Sequence, residues 1–250
     1  MTTKNKIWFN DWFNSSYYQV LYSNRSETEA EFFIDNIIHY LGQKNLIKQP
    51  YSNLQVLDLA CGQGRHSKYL AEKEFNVTGI DLSPLKISKA KLLERDNLHF
   101  YEQDMREPFR ENYFDIICNL FTSLGYFENE EDELKTFANI SLALKAQGCL
   151  IIDFFNSQFV KKKLIAKEEI RKAGITFIIK KQITNGYVIK DIEIKGSENK
   201  FQEKVRLYSL EDFQNYLSKF DLKIIKLFGS YDLADFNVEE SERLIIIASK

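Results

Sequence analysis

A short apolar run at residues 54–60 (LQVLDLA) leads directly into a turn that contains Gly62 and Gly64, and a helical pattern begins at Arg65. Glycines in such a turn let the backbone approach a ligand with no side chain between them. In open α/β folds, turns of this kind lie at the carboxyl ends of strands, where nucleotides bind. The segment therefore predicts a parallel sheet with a ligand site at its carboxyl edge.

The region after this turn alternates between helix and strand. The successive patterns are a helix at 65–73, a strand at 75–80, a helix at 83–95, strands at 98–103 and 113–120, a helix at 130–144 and a strand at 149–155. Ser83-Pro84 is a typical helix start, with a serine cap and proline at the first helical position. Alternation over roughly 100 residues predicts βαβ units in a parallel sheet.

The pattern changes after Asn156. A basic helical stretch is predicted at 159–172, and strand-like runs follow at 175–183, 187–195 and 200–208, with the hairpin signal Asn185-Gly186 between the first two. Ser209 and Asp212 form a capping box that opens a helix ending at Phe220, and two last strands are predicted at 222–228 and 244–248. The sequence thus predicts an antiparallel β meander inserted before the chain returns to the core.

The amino-terminal segment is rich in aromatic residues. Residues 8–22 contain seven aromatic side chains, and a capping box at 26–29 opens an amphipathic helix over residues 27–41. The aromatic segment can be read as a membrane-interface helix, as core, or as a lid over a ligand cavity. Asn10, Asp11 and Asn14 interrupt the apolar face and argue against a membrane helix. We favour a lid in which Tyr17, Tyr18, Tyr22 and Arg25 face the site.

Carboxylates follow the glycine turn at the ends of the next two strands. Asp81 ends the strand at 75–80, where an acid can accept ribose hydroxyl groups, and Asp104 ends the following strand near the expected adenine. NAD and S-adenosylmethionine both suit such a site. Asp58 lies two residues before the turn and would repel a pyrophosphate, whereas S-adenosylmethionine is cationic and carries no phosphate. The sequence therefore favours S-adenosylmethionine over NAD.

These motifs resemble those of the class I S-adenosylmethionine-dependent methyltransferases. DLACGQGRH is similar to their motif I, GIDLSP to motif II, EQDMREPF to the adenine-side motif and FDIICNLFTSLGYF to motif IV. Ala60 departs from the glycine usual in motif I. The resemblance implies a Rossmann-like α/β fold: a seven-stranded sheet with one antiparallel strand and helices on both faces. The aromatic amino terminus and the meander further resemble small-molecule members such as sugar N-methyltransferases.

The resemblance also implies which residues form the site. Asp81 would bind the ribose, Asp104 the adenine, and Asn119 would lie under the sulfonium with its two successors. The full set implied to bind cofactor is Tyr22, Arg25, Asp58, Ala60, Cys61, Gly62, Gly64, Arg65, His66, Asp81, Leu82, Gln103, Asp104, Met105, Asn119, Leu120 and Phe121. Tyr17, Tyr18 and Tyr126 are the candidates for assisting the acceptor.

Composition narrows the remaining choices. The formal net charge is −2, so there is no overall positive field to attract nucleic acid. No apolar run reaches the roughly 18 residues needed to cross a bilayer. The three cysteines are widely spaced and never cluster with the histidines, which argues for free thiols, a cytoplasmic location and no metal site.

The sequence is divided into four predicted parts: an aromatic lid and helix (1–45), a cofactor-binding core (46–158), the meander as substrate cover or dimer contact (159–208), and the return to the core (209–250).

The leading hypothesis is a methyltransferase, monomeric or homodimeric, that uses S-adenosylmethionine, yields S-adenosylhomocysteine and methylates an N, O or C atom of a small molecule. The alternatives are an RNA or protein methyltransferase and a non-catalytic S-adenosylmethionine-binding module.

Overall fold

A computed structural model describes residues 12–23 and 27–250, and contains two sheets. The larger sheet has seven strands in the order β10-β11-β5-β4-β1-β2-β3. These strands are β1 (Gln55–Leu59), β2 (Asn76–Asp81), β3 (Leu98–Glu102), β4 (Phe114–Asn119), β5 (Leu144–Phe155), β10 (Lys223–Phe228) and β11 (Arg243–Ser249). β11 is antiparallel to both β5 and β10, and the pairings among β1 to β5 are parallel. The predicted sheet is confirmed.

Helices cover both faces of this sheet. The helices are α1 (Ser16–Leu21), α2 (Glu27–Gln43), α3 (Arg65–Glu72), α4 (Pro84–Ala90), α5 (Glu130–Ala143), α6 (Ser157–Lys163) and α7 (Leu210–Lys219). One apolar cluster joins the sheet to α2, α3 and α4, and a second joins the opposite face to α5 and α7. Among the described residues, no helix is both long enough and apolar enough to cross a membrane.

Local capping signals set several of these helix starts. Ser83 Oγ accepts the backbone N–H of Lys86 at 3.2 Å, and proline occupies the first helical turn of α4. At α7, Ser209 Oγ accepts the N–H of Asp212, whose carboxylate accepts the N–H of Ser209, so the predicted capping box is confirmed. Ser26 of the other predicted box lies outside the described residues. α4 ends at Ala90, earlier than the predicted Arg95.

The second sheet is an antiparallel meander of four strands: β6 (Lys167–Lys172), β7 (Ile175–Thr184), β8 (Tyr187–Ile194) and β9 (Lys200–Arg206). Thr184 pairs with Tyr187 across the predicted Asn185-Gly186 turn. The predicted helix over 159–172 is wrong beyond Lys163. Residues 167–172 pair with β7 instead, because Ile170 then packs toward the apolar side of this sheet.

A third, smaller core joins the second sheet to the aromatic segment. Trp12 and Leu21 are buried against Phe177, Ile179 and Ile192 of β7 and β8. Ser15 caps α1 by accepting the N–H of Tyr18 at 3.1 Å. Residues 12–23 are therefore held by the meander and not by the seven-stranded sheet alone.

Candidate cofactor and substrate site

One large cavity, of about 770 Å³, lies at the carboxyl ends of β1, β2 and β4. The edge of the seven-stranded sheet forms one wall. Residues of the aromatic segment, including Tyr18 and Tyr22, and residues of the meander, including Lys190 and Glu203, form another. Its volume lies within the range of about 300–1,000 Å³ that is usual for small-molecule sites.

The glycine turn after β1 forms the floor of this cavity. Ala60, Gly62 and Gly64 have φ angles of 64°, 61° and 85°. A Cβ atom on Gly62 would meet no atom within 4 Å, so the space above it is open. A Cβ atom on Gly64 would come within 2.5 Å of the Phe100 ring. Gly62 therefore leaves room for a ligand, whereas Gly64 is required by packing against β3.

Asp81, at the end of β2, holds this turn in place. Its Oδ2 accepts the N–H of Gly62 at 2.9 Å, and its Oδ1 accepts the N–H of Ser83 at 2.9 Å. The side chain lines the cavity. Because each carboxylate oxygen can accept more than one hydrogen bond, both oxygens can still accept ligand hydroxyl groups.

Asp58, in β1, is the most deeply buried acid of the cavity wall, with 1% of its surface exposed. Its partner is a neutral hydroxyl group: Ser67 Oγ donates to Asp58 Oδ2 at 2.5 Å. Burial raises the pKa of Asp58 to about 6, and the Ser67 hydrogen bonds offset only part of that rise. A cationic ligand group would stabilise this carboxylate in its ionised form.

Asp104 lines the cavity beyond β3 and is already paired. Arg106 donates from Nη2 to Asp104 Oδ2 at 2.6 Å and from Nε to Oδ1 at 3.0 Å, and it also contacts Asp132 at 2.8 Å. Burial would raise the pKa of Asp104, but the hydrogen bonds and charge of Arg106 outweigh burial and hold it below its usual value. The pairing fixes where this acid meets the cavity.

Aromatic and basic side chains meet at the end of β4. The rings of His66 and Phe121 lie 5.0 Å apart, and the Arg65 guanidinium lies 4.6 Å from the centre of the Phe121 ring. Asn119 is fully buried and donates from Nδ2 to the carbonyl oxygen of Leu59 at 3.1 Å. The Asn119 side chain thus joins β4 to β1 and does not line the cavity.

A buried polar cluster attaches the aromatic segment to the meander. Glu203 accepts hydrogen bonds from Trp12 Nε1 at 2.5 Å and from the Tyr22 hydroxyl at 2.7 Å. Lys190 Nζ lies 2.7 Å from Glu203 Oε2 and donates to the Tyr22 hydroxyl at 2.6 Å. These four residues, the Glu203 cluster, bring charged groups from β8 and β9 into the cavity wall.

The aromatic segment also contacts the start of α4. Ser83 Oγ donates to Asn14 Oδ1 at 2.5 Å. Lys86 Nζ lies 4.7 Å from the centre of the Phe13 ring and 5.4 Å from that of Tyr18. The rings of Phe13 and Tyr126 are 5.4 Å apart. Residues 13–18 therefore close the cavity between the motif II loop and Tyr126.

Most of the site residues that were predicted from the sequence line this cavity. The nominated residues that line the cavity are Tyr18, Tyr22, Asp58, Ala60, Cys61, Gly62, Arg65, His66, Asp81, Leu82, Gln103, Asp104, Met105, Leu120, Phe121 and Tyr126. Gly64, Asn119 and Tyr17 do not line it. Tyr17 instead packs against Phe201 and Phe177 of the meander. Arg25 lies outside the described residues.

Cys61 is another of the predicted site residues. Burial and the nearby charges of Asp58 and Asp81 raise the pKa of its thiol, so the thiol stays protonated. This argues against a nucleophilic role for the thiol. Several cavity residues were not predicted from the sequence: Phe13, Asn14, Lys86, Lys190, Glu203 and Arg243. The alternation of polar and apolar residues in the predicted meander was the one signal that could have pointed to Lys190 and Glu203.

The cavity residues fit S-adenosylmethionine. The open space above Gly62 admits a ligand against the backbone. Asp58 and Asp81 place carboxylates beside that space, and Leu82 and Met105 add apolar surface near Gln103 and Asp104. A cationic nucleoside suits this acidic wall better than a pyrophosphate does.

Comparison with known proteins points to one kind of domain in this chain. Residues 56–148 match the profile of a family described as a methyltransferase domain. The match places a methyltransferase-like domain in the first half of the larger sheet, and the fold is shared with a solved S-adenosylmethionine-dependent methyltransferase.

Three similar proteins illustrate the relationship. YqeM of Bacillus subtilis (strain 168), provisionally named a methyltransferase, is 40% identical over 106 residues, which are 41% of this chain and 43% of YqeM. A crystal structure of an S-adenosylmethionine-dependent methyltransferase from Clostridium acetobutylicum ATCC 824 has a TM-score of 0.75 at 22% identity, covering 93% of this chain and 95% of that one. The sugar N-methyltransferase KedS8 from Streptoalloteichus sp ATCC 53650 has a TM-score of 0.69 at 16% identity, covering 93% and 92%.

These comparisons cover different fractions of the chain. The match to YqeM spans less than half the length of either protein. The structural matches extend over nearly the whole chain, but at these identities they establish the fold alone.

Proposed function

We propose that this protein transfers a methyl group from S-adenosylmethionine to an N, O or C atom of a small molecule. The observation that carries the proposal is a continuous cavity of about 770 Å³, which begins at the open Gly62 turn and continues under a cover built by the aromatic segment and the meander. The sugar N-methyltransferase function named for KedS8, which shares the fold, supports a small-molecule acceptor.

Different residues of the cavity would bind different parts of the cofactor. Asp58 and Asp81 would bind the amino acid and ribose ends of the cofactor, and Asp104 and Met105 would frame the adenine. S-adenosylmethionine, when bound, supplies a methyl group on a sulfonium leaving group. Leu120 and Phe121 would form the wall beside that methyl group.

The cover would exclude water and align the acceptor. Alignment of two reactants is a large source of rate enhancement, and a methyl transfer to a neutral amine needs little more from the protein. Tyr18 and Tyr126 line the cavity, and their hydroxyl groups are the candidates for accepting a hydrogen bond from the methyl acceptor.

Binding of S-adenosylhomocysteine is the first test. A ligand that binds only the folded state at 100 times its Kd adds about 2.7 kcal/mol of stability, which thermal-shift measurements detect easily. Absence of a shift at millimolar ligand, in a sample that unfolds cooperatively, would refute the assignment. NAD serves as the matched negative ligand.

Turnover is the second test. Release of S-adenosylhomocysteine is measured with small amines, hydroxyl compounds and carbon acids, and with bulk tRNA and a denatured protein as macromolecular acceptors. Methylation of a small molecule supports the proposal. Salt-sensitive methylation of tRNA would favour an RNA methyltransferase, and binding without turnover on any acceptor would favour a binding module.

A further inference from the structure

Two adjacent residues in the cavity wall have an unusual backbone conformation. Phe121 and Thr122 have φ angles of 58° and 60°, in the left-handed region. Both line the cavity directly after Leu120. Neither is glycine, and threonine is β-branched, so this conformation is unfavourable and persists only where the surrounding structure imposes it.

Asp153 of β5 binds the backbone of both residues. Its Oδ2 accepts the N–H of Phe121 at 2.9 Å, and its carbonyl oxygen accepts the N–H of Thr122 at 2.9 Å. The Asp153 side chain is fully buried. One residue of the neighbouring strand thus satisfies both backbone donors of the strained pair.

Two further side chains hold the Asp153 carboxylate. Arg243, the first residue of β11, donates from Nε to Oδ1 at 2.8 Å, and its Nη2 also donates to Thr122 Oγ1 at 3.2 Å. The Tyr231 hydroxyl donates to Asp153 Oδ2 at 3.2 Å, and the Tyr231 ring lies 5.5 Å from that of Phe121. Burial raises the pKa of Tyr231, so its hydroxyl remains a donor.

We propose that Asp153, Arg243 and Tyr231 are positioning residues that hold Phe121 and Thr122 in the strained conformation and so set the cavity wall beside the reacting methyl group. The contribution to methyl transfer rests on the proposed function. The claim that these three residues stabilise the strained loop conformation does not rest on the proposed function, because it concerns the folded protein without cofactor.

Asp153, Arg243 and Tyr231 are called the brace below. A double-mutant cycle with Asp153→Asn and Thr122→Gly tests whether the brace holds the strained loop. Glycine adopts a left-handed conformation without steric cost, so it should restore part of what the brace provides. We expect Asp153→Asn to weaken S-adenosylhomocysteine binding at least tenfold by calorimetry. Adding Thr122→Gly should recover at least threefold, whereas Thr122→Gly in the otherwise unchanged protein should give no gain.

A neighbouring glycine substitution is the matched control. Ser123 also lines the cavity but is not in the left-handed region, so Ser123→Gly should not rescue Asp153→Asn. Equal rescue by both glycines, or additive effects of Thr122→Gly and Asp153→Asn, would overturn the proposal. If Asp153→Asn fails to fold, Tyr231→Phe removes one donor and keeps the ring, and the same cycle is run with it.

The melting temperatures of the same proteins separate this proposal from the proposed function. If the unaltered protein does not bind S-adenosylhomocysteine, the proposed function fails. The brace is then judged by stability alone: Thr122→Gly must raise the melting temperature of Asp153→Asn by about 2–4 °C more than it changes that of the unaltered protein. An equal change in both would overturn the brace.

Discussion

Asp58 and Glu203 are two buried carboxylates in the wall of one cavity, but their partners differ. Asp58 is hydrogen-bonded to the neutral hydroxyl of Ser67, and burial raises its pKa to about 6. Burial also acts to raise the pKa of Glu203, but the charge of Lys190 and the donors Trp12 and Tyr22 outweigh it and lower the pKa.

The difference indicates different tasks for the two acids. Glu203 has its counter-charge within the protein, so it stabilises the attachment of the aromatic segment to the meander. Asp58 is hydrogen-bonded to a neutral hydroxyl group, and the charge of Arg65 offsets only part of the effect of burial, so a cationic ligand group can supply further stabilisation. The following predictions test this contrast, from the largest expected effect to the smallest.

Glu203→Gln should cause the largest loss of stability. The substitution leaves the Lys190 ammonium in the cavity wall without its counter-charge, and breaking such a pair costs about 3 kcal/mol or more. Urea unfolding measures the loss. Glu193→Gln on β8 is the matched control, because its contact with Lys180 at 3.4 Å is exposed and its loss should cost less than about 1 kcal/mol. Equal losses would contradict a special role for Glu203.

Asp58→Asn should act on binding and not on folding. Asparagine can keep a hydrogen bond with Ser67 and removes a buried charge, so stability should change little at pH 7. Loss of a charged acceptor for the ligand costs roughly 1.5–3 kcal/mol, or about 10- to 150-fold in the Kd of S-adenosylhomocysteine by calorimetry. Asp35→Asn, an exposed acid paired with Lys73, is the control and should bind normally.

The two acids should also differ in their response to pH. Because the folded-state pKa of Asp58 lies above its unfolded value, protonation on going from pH 7 to pH 5 should stabilise the protein by about 1 kcal/mol through this group. Over the same range, binding of S-adenosylhomocysteine should weaken about tenfold, because the ionised fraction of Asp58 falls. Glu203, whose pKa is lowered, should lose its stabilising effect only when the pH falls below the ordinary range of a glutamate.

The Asp58→Asn protein is the control for this profile. Its affinity for S-adenosylhomocysteine should be nearly constant between pH 7 and pH 5. A profile that keeps its midpoint near pH 6 in Asp58→Asn would show that another group titrates.

Ser67→Ala should give the smallest effect. Loss of the hydroxyl donor costs about 1 kcal/mol of stability and removes an interaction that lowers the pKa of Asp58. The midpoint of the pH profile for S-adenosylhomocysteine binding should therefore move upward. A midpoint that moves downward would contradict the assignment of the titration to Asp58.

Much of the fold could be predicted because its signals are local. Ser83-Pro84 and the capping box of Ser209 and Asp212 set helix starts through contacts within three residues. The glycine turn and the acids Asp81 and Asp104 follow successive strands, and parallel strands bring their carboxyl ends to one edge. Most of the nominated site residues line the cavity for this reason.

Other assignments depended on distant contacts. Residues 167–172 carry a basic, helix-compatible sequence, but pairing with β7 makes them a strand. Gly64 is required by the Phe100 ring and not by the ligand space. Tyr17 was nominated with Tyr18, but the orientation of α1 on the meander directs Tyr17 to Phe201 and leaves Tyr18 at the cavity.

The sequence by itself determined most of the order of strands and helices, the glycine turn and the row of carboxylates, because hydrophobic period and capping act between near neighbours. Only the tertiary structure decided how the acids are partnered. Trp12 meets Glu203 across 191 positions of the chain, and Asp153 meets Phe121 and Arg243 from different strands. Such pairs form only when the sheets, helices and loops are packed, and the electrostatic character of each buried acid is set at that point.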